Sequence, residues 1–210
     1  EVVRRSPESH WHRNVLAMTR SNLACYWFAR REHLDEALEQ LIQARDALRE
    51  LHRSFPEVHE YHANLARTSN NLGLVLEAKE RYREAEEAYR EAVNVQEDIV
   101  RRFPTLRAYR DVLARNLLNL GSLLAKLGNF TEAEPCLARA VAVRRKLVEE
   151  DPASAGRRHE LAVILEEAAN ALSLAGRAPE AQASWEECAA IRRKLAQEFP
   201  EKSDHRSGLA

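Results

Sequence analysis

The sequence predicts an all-α solenoid of antiparallel helix hairpins, and three observations carry that prediction. A proline-marked pattern recurs every 48 residues, Gly and Pro number only 6 and 7 in 210, and apolar residues within each period fall three and four apart. Scarce Gly and Pro leave little material for the tight turns of a sheet, whereas Ala, Leu, Glu and Arg dominate and are strong helix formers.

The period is fixed by Phe55-Pro56, Phe103-Pro104, Asp151-Pro152 and Phe199-Pro200. Between these markers Leu65, Leu113 and Leu161 coincide, as do Leu72-Gly73, Leu120-Gly121 and Ala168-Ala169. Leu76, Leu124 and Leu172 follow, and then Ala85, Ala133 and Ala181. The first period fits with one extra residue in its mid-unit turn, having Leu23-Ala24 and Trp27 before it and Ala37 after it. Four repeats result, at 11–56, 57–104, 105–152 and 153–200. Residues 1–10 are left as the end of a preceding unit or linker and 201–210 as the start of a further unit, since Leu209 falls two periods after Leu113.

Each repeat reads as two helices, best seen in the second. From about Tyr61 to Lys79, Leu65, Leu72, Val75 and Leu76 make a stripe on one helical face. A short turn follows near Glu80-Arg81; the later repeats place Gly128-Asn129 and Gly176-Arg177 there, residues that end helices. The second helix runs from about Tyr82 to Arg101, with Ala85, Ala88, Tyr89, Ala92, Val93 and Ile99 inward, until Pro104 blocks continuation. In the third repeat Pro135 falls near the end of the second helix's first turn, where it puts one hydrogen bond at risk and the helix survives. In the fourth, Pro179 stands at the helix start, where a missing N–H costs nothing. Gly73, Gly121, Ala85 and Ala133 are small enough to let two helices approach closely. Tyr89, Leu137 and Trp185, four residues after the alanines, are expected to fill the space beside them. Leu72, Leu76, Leu120, Leu124 and Leu172 should also point inward. One hairpin cannot bury its apolar face alone, so the hairpins must stack.

Composition excludes several classes. With 32 Lys and Arg against 33 Asp and Glu, the formal net charge is −1, so no overall field gathers nucleic acid or anionic lipid. No apolar run is long enough to span a membrane and no leader-like stretch opens the chain, so a cytoplasmic location is expected. The chain opens Glu1-Val2-Val3 rather than with Met, as expected of a piece of a longer parent. Cys25, Cys136 and Cys188 are far apart and read as small apolar packing residues rather than a metal or redox set. Eight histidines occur, with His59 and His62 on one helix face and His10 close to His12, but neither pair has a nearby Cys or a fixed carboxylate as third ligand; they read as residues at hairpin entrances. No phosphate-binding Gly-rich loop, serine elbow or HExxH is present, so no catalytic residue, cofactor or metal is assigned.

The pattern resembles the tetratricopeptide repeat, whose signature of Leu-Gly-x-x-aromatic followed by Ala-x-x-x-aromatic is matched by Leu72-Gly73-x-x-Leu76 with Ala85-x-x-x-Tyr89. Leu120-Gly121-x-x-Leu124 with Ala133-x-x-x-Leu137 repeats it. Leu23-Ala24-x-x-Trp27 with Ala37-x-x-x-Leu41, and Ala168-Ala169-x-x-Leu172 with Ala181-x-x-x-Trp185, are looser copies. The period is longer than the family's common unit of about 34 residues, and the signature's early Trp is absent from every copy. The long unit is similar to that of kinesin light chains, and Asn70-Asn71-Leu72-Gly73 is similar to arrays that follow serine/threonine kinase domains in bacterial proteins. The resemblance implies a right-handed superhelix that acts as a protein–protein interaction scaffold. It also implies that the first helix of each hairpin lines a concave groove for a peptide or partner domain. The groove positions are then Asn22, Arg67, Asn71, Arg115, Asn119, Ser122 and Asn170, expected on one continuous surface. Asn amides both donate and accept, which suits a peptide backbone, and the two arginines suit a carboxylate. Asn71 and Arg115 match two positions of the family's carboxylate clamp, while Ser21, Cys25 and Asn119 hold the others. The same asparagines could instead bond helix to helix. Arginines early and Glu166 and Glu167 late would make the groove polar along its length. Two other readings compete with groove recognition. One is a homo-oligomer formed through the array ends, and the other is a regulatory tail of a serine/threonine protein kinase.

Overall fold

The structure, a computed structural model, describes residues 7–200. Among them are eight α-helices and no strand: α1 (Pro7–Arg30), α2 (Leu34–Ser54), α3 (His59–Ala78), α4 (Tyr82–Arg102), α5 (Arg107–Lys126), α6 (Phe130–Glu150), α7 (Ala155–Leu174) and α8 (Ala178–Glu198). Pro7–His10 therefore belong to α1, and the expected further unit at 201–210, with Leu209, lies outside the described residues, as do residues 1–6. No described helix is long and apolar enough to cross a membrane. The chain falls into two compact units, one up to Val112 and one from Leu113.

A common grammar sets the hairpins in both. Each first helix ends in a left-handed residue: Glu80 at φ 59°, Gly128 at 80° and Gly176 at 76°. The first hairpin absorbs its extra residue by using two such positions, Arg31 at φ 56° and His33 at 49°. Each second helix then starts with a side chain that meets a glutamate three residues on: His33 with Glu36 (3.2 Å), Arg81 with Glu84 (2.7 Å), Asn129 with Glu132 (2.9 Å) and Arg177 with Glu180 (3.0 Å). A carboxylate in the first turn complements the positive end of the helix. Arg81 accordingly holds the Glu84 carboxyl below its ordinary range, and backbone hydrogen bonding, helped by Arg177, does the same for Glu180.

In the first unit α1 pairs with α2 and α3 with α4, and α2 and α1 both pack on α3. The Phe-Pro joints close by an aromatic trio that repeats. The Tyr61 hydroxyl meets His10 Nδ1 at 2.5 Å beside Phe55, and one period later Tyr109 meets His59 Nδ1 at 2.8 Å beside Phe103. Inside the second hairpin Tyr89 is fully buried against Gly73, where an added Cβ would lie 2.4 Å from its ring. Its hydroxyl donates to Glu77 Oε2 at 3.2 Å.

In the second unit the Leu113–Lys126 part of α5 lies against α6, a Cβ on Gly121 coming within 2.7 Å of Leu137. Helix α6 runs through Pro135 as expected. Its first bond is Ala133 N–H to the Asn129 carbonyl, so the proline removes only the bond two residues on, to the Thr131 carbonyl. In the last hairpin Ala169 stands where Gly73 and Gly121 stand before it, and Trp185 is 40% exposed. The expectation that Trp185 fills the hairpin is thus corrected: it is exposed where Tyr89 is buried, and Ala169 carries a methyl where the earlier copies have none. Leu172 is half-buried rather than buried.

One repeat position is polar and buried in three copies. Gln96 Nε2 donates to the Tyr109 carbonyl (2.8 Å), Arg144 to Glu160 (2.6 Å) and Arg192 to both oxygens of Glu166 (3.1 and 2.6 Å). The first two tie a second helix to the start of the next first helix. The third ties α8 back to α7, and Arg192 draws the Glu166 carboxyl below its ordinary range.

Candidate functional site

A polar seam joins the two first helices of the first unit. Asn64 Nδ2 donates to Asn14 Oδ1 at 2.9 Å, and Thr68 Oγ1 and Asn71 Nδ2 both reach Ser21 Oγ at 3.4 Å. These bonds satisfy polar groups that packing α1 on α3 removes from water. Arg67 sits at the seam's solvent edge, with Nη2 3.3 Å from Asn64 Oδ1 and 3.5 Å from Met18 Sδ. Cys25 completes the cluster. Burial pushes its thiol up, while the Arg67 charge and a hydrogen bond with Asn71 act against that rise.

The structure therefore brings Arg67 and Asn71 together in the first unit, with Asn22 exposed on α1. Asn71 is half-buried and bonds helix to helix, leaving Arg67 and Asn22 as the expected contacts of this unit that face water. In the second unit Arg115, Asn119 and Ser122 fall four and three residues apart on α5, which puts them on one helical face. Arg115 is exposed and the other two are half-buried; Asn170 is exposed on α7. Glu166 is not part of an acidic groove end, because it is held by Arg192 of α8.

Arg67 and Arg115 occupy the same repeat position, and neither has a carboxylate within ion-pair distance among the described residues. Most other arginines are neutralised locally, such as Arg49 by Glu91 (2.5 Å), Arg158 by Glu198 (2.5 Å) and Arg13 by Glu50. An exposed guanidinium left without a local partner is a ready fork for a carboxylate.

Three features were not expected from the sequence. The first is an open apolar pocket of about 580 Å³ between α6, α7 and α8, with Leu137, Val141, Ala168 and Leu172 among its lining. The matching gap in the first unit is about 120 Å³, because Ile42, Arg45 and Leu72 stand where the second unit has Ala138, Val141 and Ala168. Both charged rims of the large pocket are neutralised from within, Arg145 by Glu187 at 2.6 Å and Arg177 by Glu134 and Glu180. The second feature is a histidine pair, His62 buried and His52 half-buried: the His62 ring meets the His52 ring edge-on at 4.2 Å, with Asp98 Oδ2 at 4.0 Å from His62 Nδ1. His62 Nε2 and His52 Nδ1 are buried without a hydrogen-bond partner among the described residues. Burial holds both imidazoles below their ordinary pKa. His59 does sit at a hairpin entrance, but His62 is a core residue, which corrects the surface reading. The third is a run of exposed large apolar side chains on α1, Trp11, Val15, Leu16, Leu23 and Tyr26. Among the described residues no group of three His, Cys, Asp or Glu side chains converges as metal ligands would.

Comparison with known proteins agrees with this geometry. Two family profiles, each of the tetratricopeptide repeat, match residues 39–98 and 107–153. No curated protein matches the chain. Among solved structures, BtubC (BKLC) from P. vanneervenii superposes with a TM-score of 0.67 at 21% identity, over 87% of this chain and 65% of that one. The chain thus spans just under two thirds of that relative's length. A Podosopora anserina protein of nearly identical TPR-like repeats, described as a kinesin light chain, superposes at 0.51 and 20% identity, over 87% of this chain and 97% of that one. At such identities the likeness is one of fold.

Proposed function

The chain belongs to the tetratricopeptide-repeat family, and from that premise we propose that it is a non-catalytic protein–protein interaction scaffold whose first helices hold an acidic peptide segment. The observation that carries this reading is the pair Arg67 and Arg115, equivalent by repeat, exposed, and without a carboxylate partner among the described residues. Around Arg67 lie a half-buried amide, Asn71, and the thiol of Cys25. Around Arg115 lie Asn119 and Ser122 on the same face, with Asn170 on α7 as a further amide. In each unit the guanidinium supplies the charge and the neighbouring polar groups supply bonds for a peptide backbone.

A charge-assisted hydrogen bond is worth about 1.5–3 kcal/mol, or roughly ten- to a hundredfold in affinity. The test is a peptide array probed with wild type and with an Arg67→Glu, Arg115→Glu double variant, followed by anisotropy titrations of the best acidic hit. Binding should fall at least tenfold in the double variant and weaken in wild type as salt rises. Identical peptide preferences in the two proteins would remove these residues from the recognition surface.

A further inference from the structure

The apolar pocket of the second unit has a floor, two walls and two closed ends. Helix α7 packs against both α6 and α8 and forms the floor, through Leu165, Ala168 and Leu172. One wall is α6, with Ala138 and Val141, and the other is the start of α8, with Ser184. Ion pairs cross from wall to wall at two places. Glu134 of α6 meets Arg177, which precedes α8, and Arg145 of α6 meets Glu187 of α8 at 2.6 Å. Glu134 and Arg145 stand eleven residues apart on α6, about 16 Å. The space between the two pairs is therefore a basin, not a groove open at its ends.

The first unit shows what fills this place elsewhere. There Arg49 meets Glu91 at the positions of Arg145 and Glu187, but Leu38 stands where Glu134 does, and Ile42, Arg45 and Leu72 leave a gap of about 120 Å³. The shorter Ala138, Val141 and Ala168 open the second unit's copy to about 580 Å³, within the roughly 300–1,000 Å³ of small-molecule sites. No absent hairpin accounts for the opening. The basin lies on the side of the last hairpin that faces α6, and in a linear array each hairpin meets its two neighbours on opposite sides. From Glu201 to Gly208 the sequence after α8 has no apolar side chain with which to fill it.

We propose that this basin binds a compact, uncharged and largely apolar small molecule that carries one hydrogen-bond donor. The charged side chains in its lining, Glu134, Arg145, Arg177 and Glu180, are all engaged in ion pairs. A charged ligand would lose its hydration there without gaining a partner. The ion pair at each end also stops a helix or strand of another protein from lying along the walls, which leaves a compact occupant. Ser184 donates its hydroxyl proton to the Glu180 carbonyl at 3.2 Å, so its oxygen is left to accept from a ligand donor. The first unit has Ala88 at that position. The site goes beyond the peptide reading, since neither Arg67 nor Arg115 lines it.

The probe is N-phenylnaphthylamine, a neutral aromatic amine with one N–H whose fluorescence rises on leaving water, held at trace level and titrated with the whole 210-residue chain. Wild type should show a single saturable site with a Kd on the order of 100 µM or tighter, as the binding energy per atom of drug-sized ligands gives. Added salt should leave that value unchanged, because no charge is paired on binding. An Ala138→Ile, Ala168→Leu variant puts the first unit's residues into the basin and should weaken binding at least tenfold with unchanged helical circular dichroism. Should that variant lose helix, Ala138→Ile alone, at an exposed position, decides the matter by the same loss. Ser184→Ala should weaken binding about two- to tenfold, the worth of one neutral hydrogen bond, and an unchanged affinity would overturn the donor assignment. A Leu16→Glu, Leu23→Glu variant removes exposed apolar surface from α1 and should bind as wild type does. Absence of saturable binding in wild type would overturn the proposal. So would a filled basin that binds like wild type, or an equal loss in the α1 variant.

Discussion

Gly73→Ala is expected to destabilise the protein, although alanine is by about 1 kcal/mol the better helix former. The added Cβ would lie 2.4 Å from Tyr89 Cε1, 2.5 Å from Cδ1 and 2.9 Å from Cζ, so the ring must leave its place. The chain already contains the outcome: with Ala169 at this repeat position, the aromatic at 185 is 40% exposed. A buried tyrosine covers about 150–250 Å². Returning two fifths of that to water costs about 2 kcal/mol at 25 cal/mol per Å². Losing the bond from its hydroxyl to Glu77 adds about 1 kcal/mol. Set against the helix gain, the net loss is about 2 kcal/mol. Urea unfolding followed by circular dichroism should show it, and a double-mutant cycle isolates the cause. In a Tyr89→Ala background the same Gly73→Ala change should stabilise, by about 1 kcal/mol, because nothing is left to collide with. A Gly73→Ala protein more stable than wild type, or a change of the same sign in both backgrounds, would refute the close-approach argument.

Glu80→Gly should stabilise by about 0.5–1 kcal/mol in the same assay, since Glu80 holds a left-handed φ of 59° that the two later turns assign to glycine. Stability should also fall on mild acidification. Burial depresses the pKa of His52 and His62, with Asp98 opposing this and Arg102 reinforcing it. Their contribution is therefore complete above the ordinary histidine range and is lost as pH falls through that range toward the depressed values. A His52→Gln, His62→Gln variant should show a smaller drop in urea midpoint between about pH 7 and pH 5.

The architecture was legible because it is written four times. Markers such as Phe103-Pro104 and pairs such as Leu120-Gly121 recur at one interval, and recurrence distinguishes a stacked helix from an accidental apolar stripe. Pro135 was readable for a local reason, as its cost depends only on its distance from the helix start. The displaced Trp185 was also visible in principle, in the change from Leu-Gly to Ala168-Ala169, but the meaning of that methyl depends on a packing distance. Polar partners were the least legible. Glu166 looks like a groove residue until Arg192 is seen to reach it from the next helix. Asn71 could face a ligand or Ser21 equally well by chemistry. The His52–His62 contact joins two helices whose relative rotation no spacing rule specifies. Within the sites expected for recognition, the sequence located repeat positions but not what each side chain touches.

The buried Gln96 and Arg144 have a consequence for how the molecule comes apart. Each bonds to the beginning of the following hairpin, through the Tyr109 carbonyl and Glu160. If a hairpin frays away, its neighbour does not merely expose apolar surface: a polar group also loses a bond where water reaches poorly. Apolar stacking alone would let a linear array melt hairpin by hairpin from an end. These links raise the nearest-neighbour coupling, so the smallest cooperative opening unit spans the junction between hairpins rather than a single hairpin.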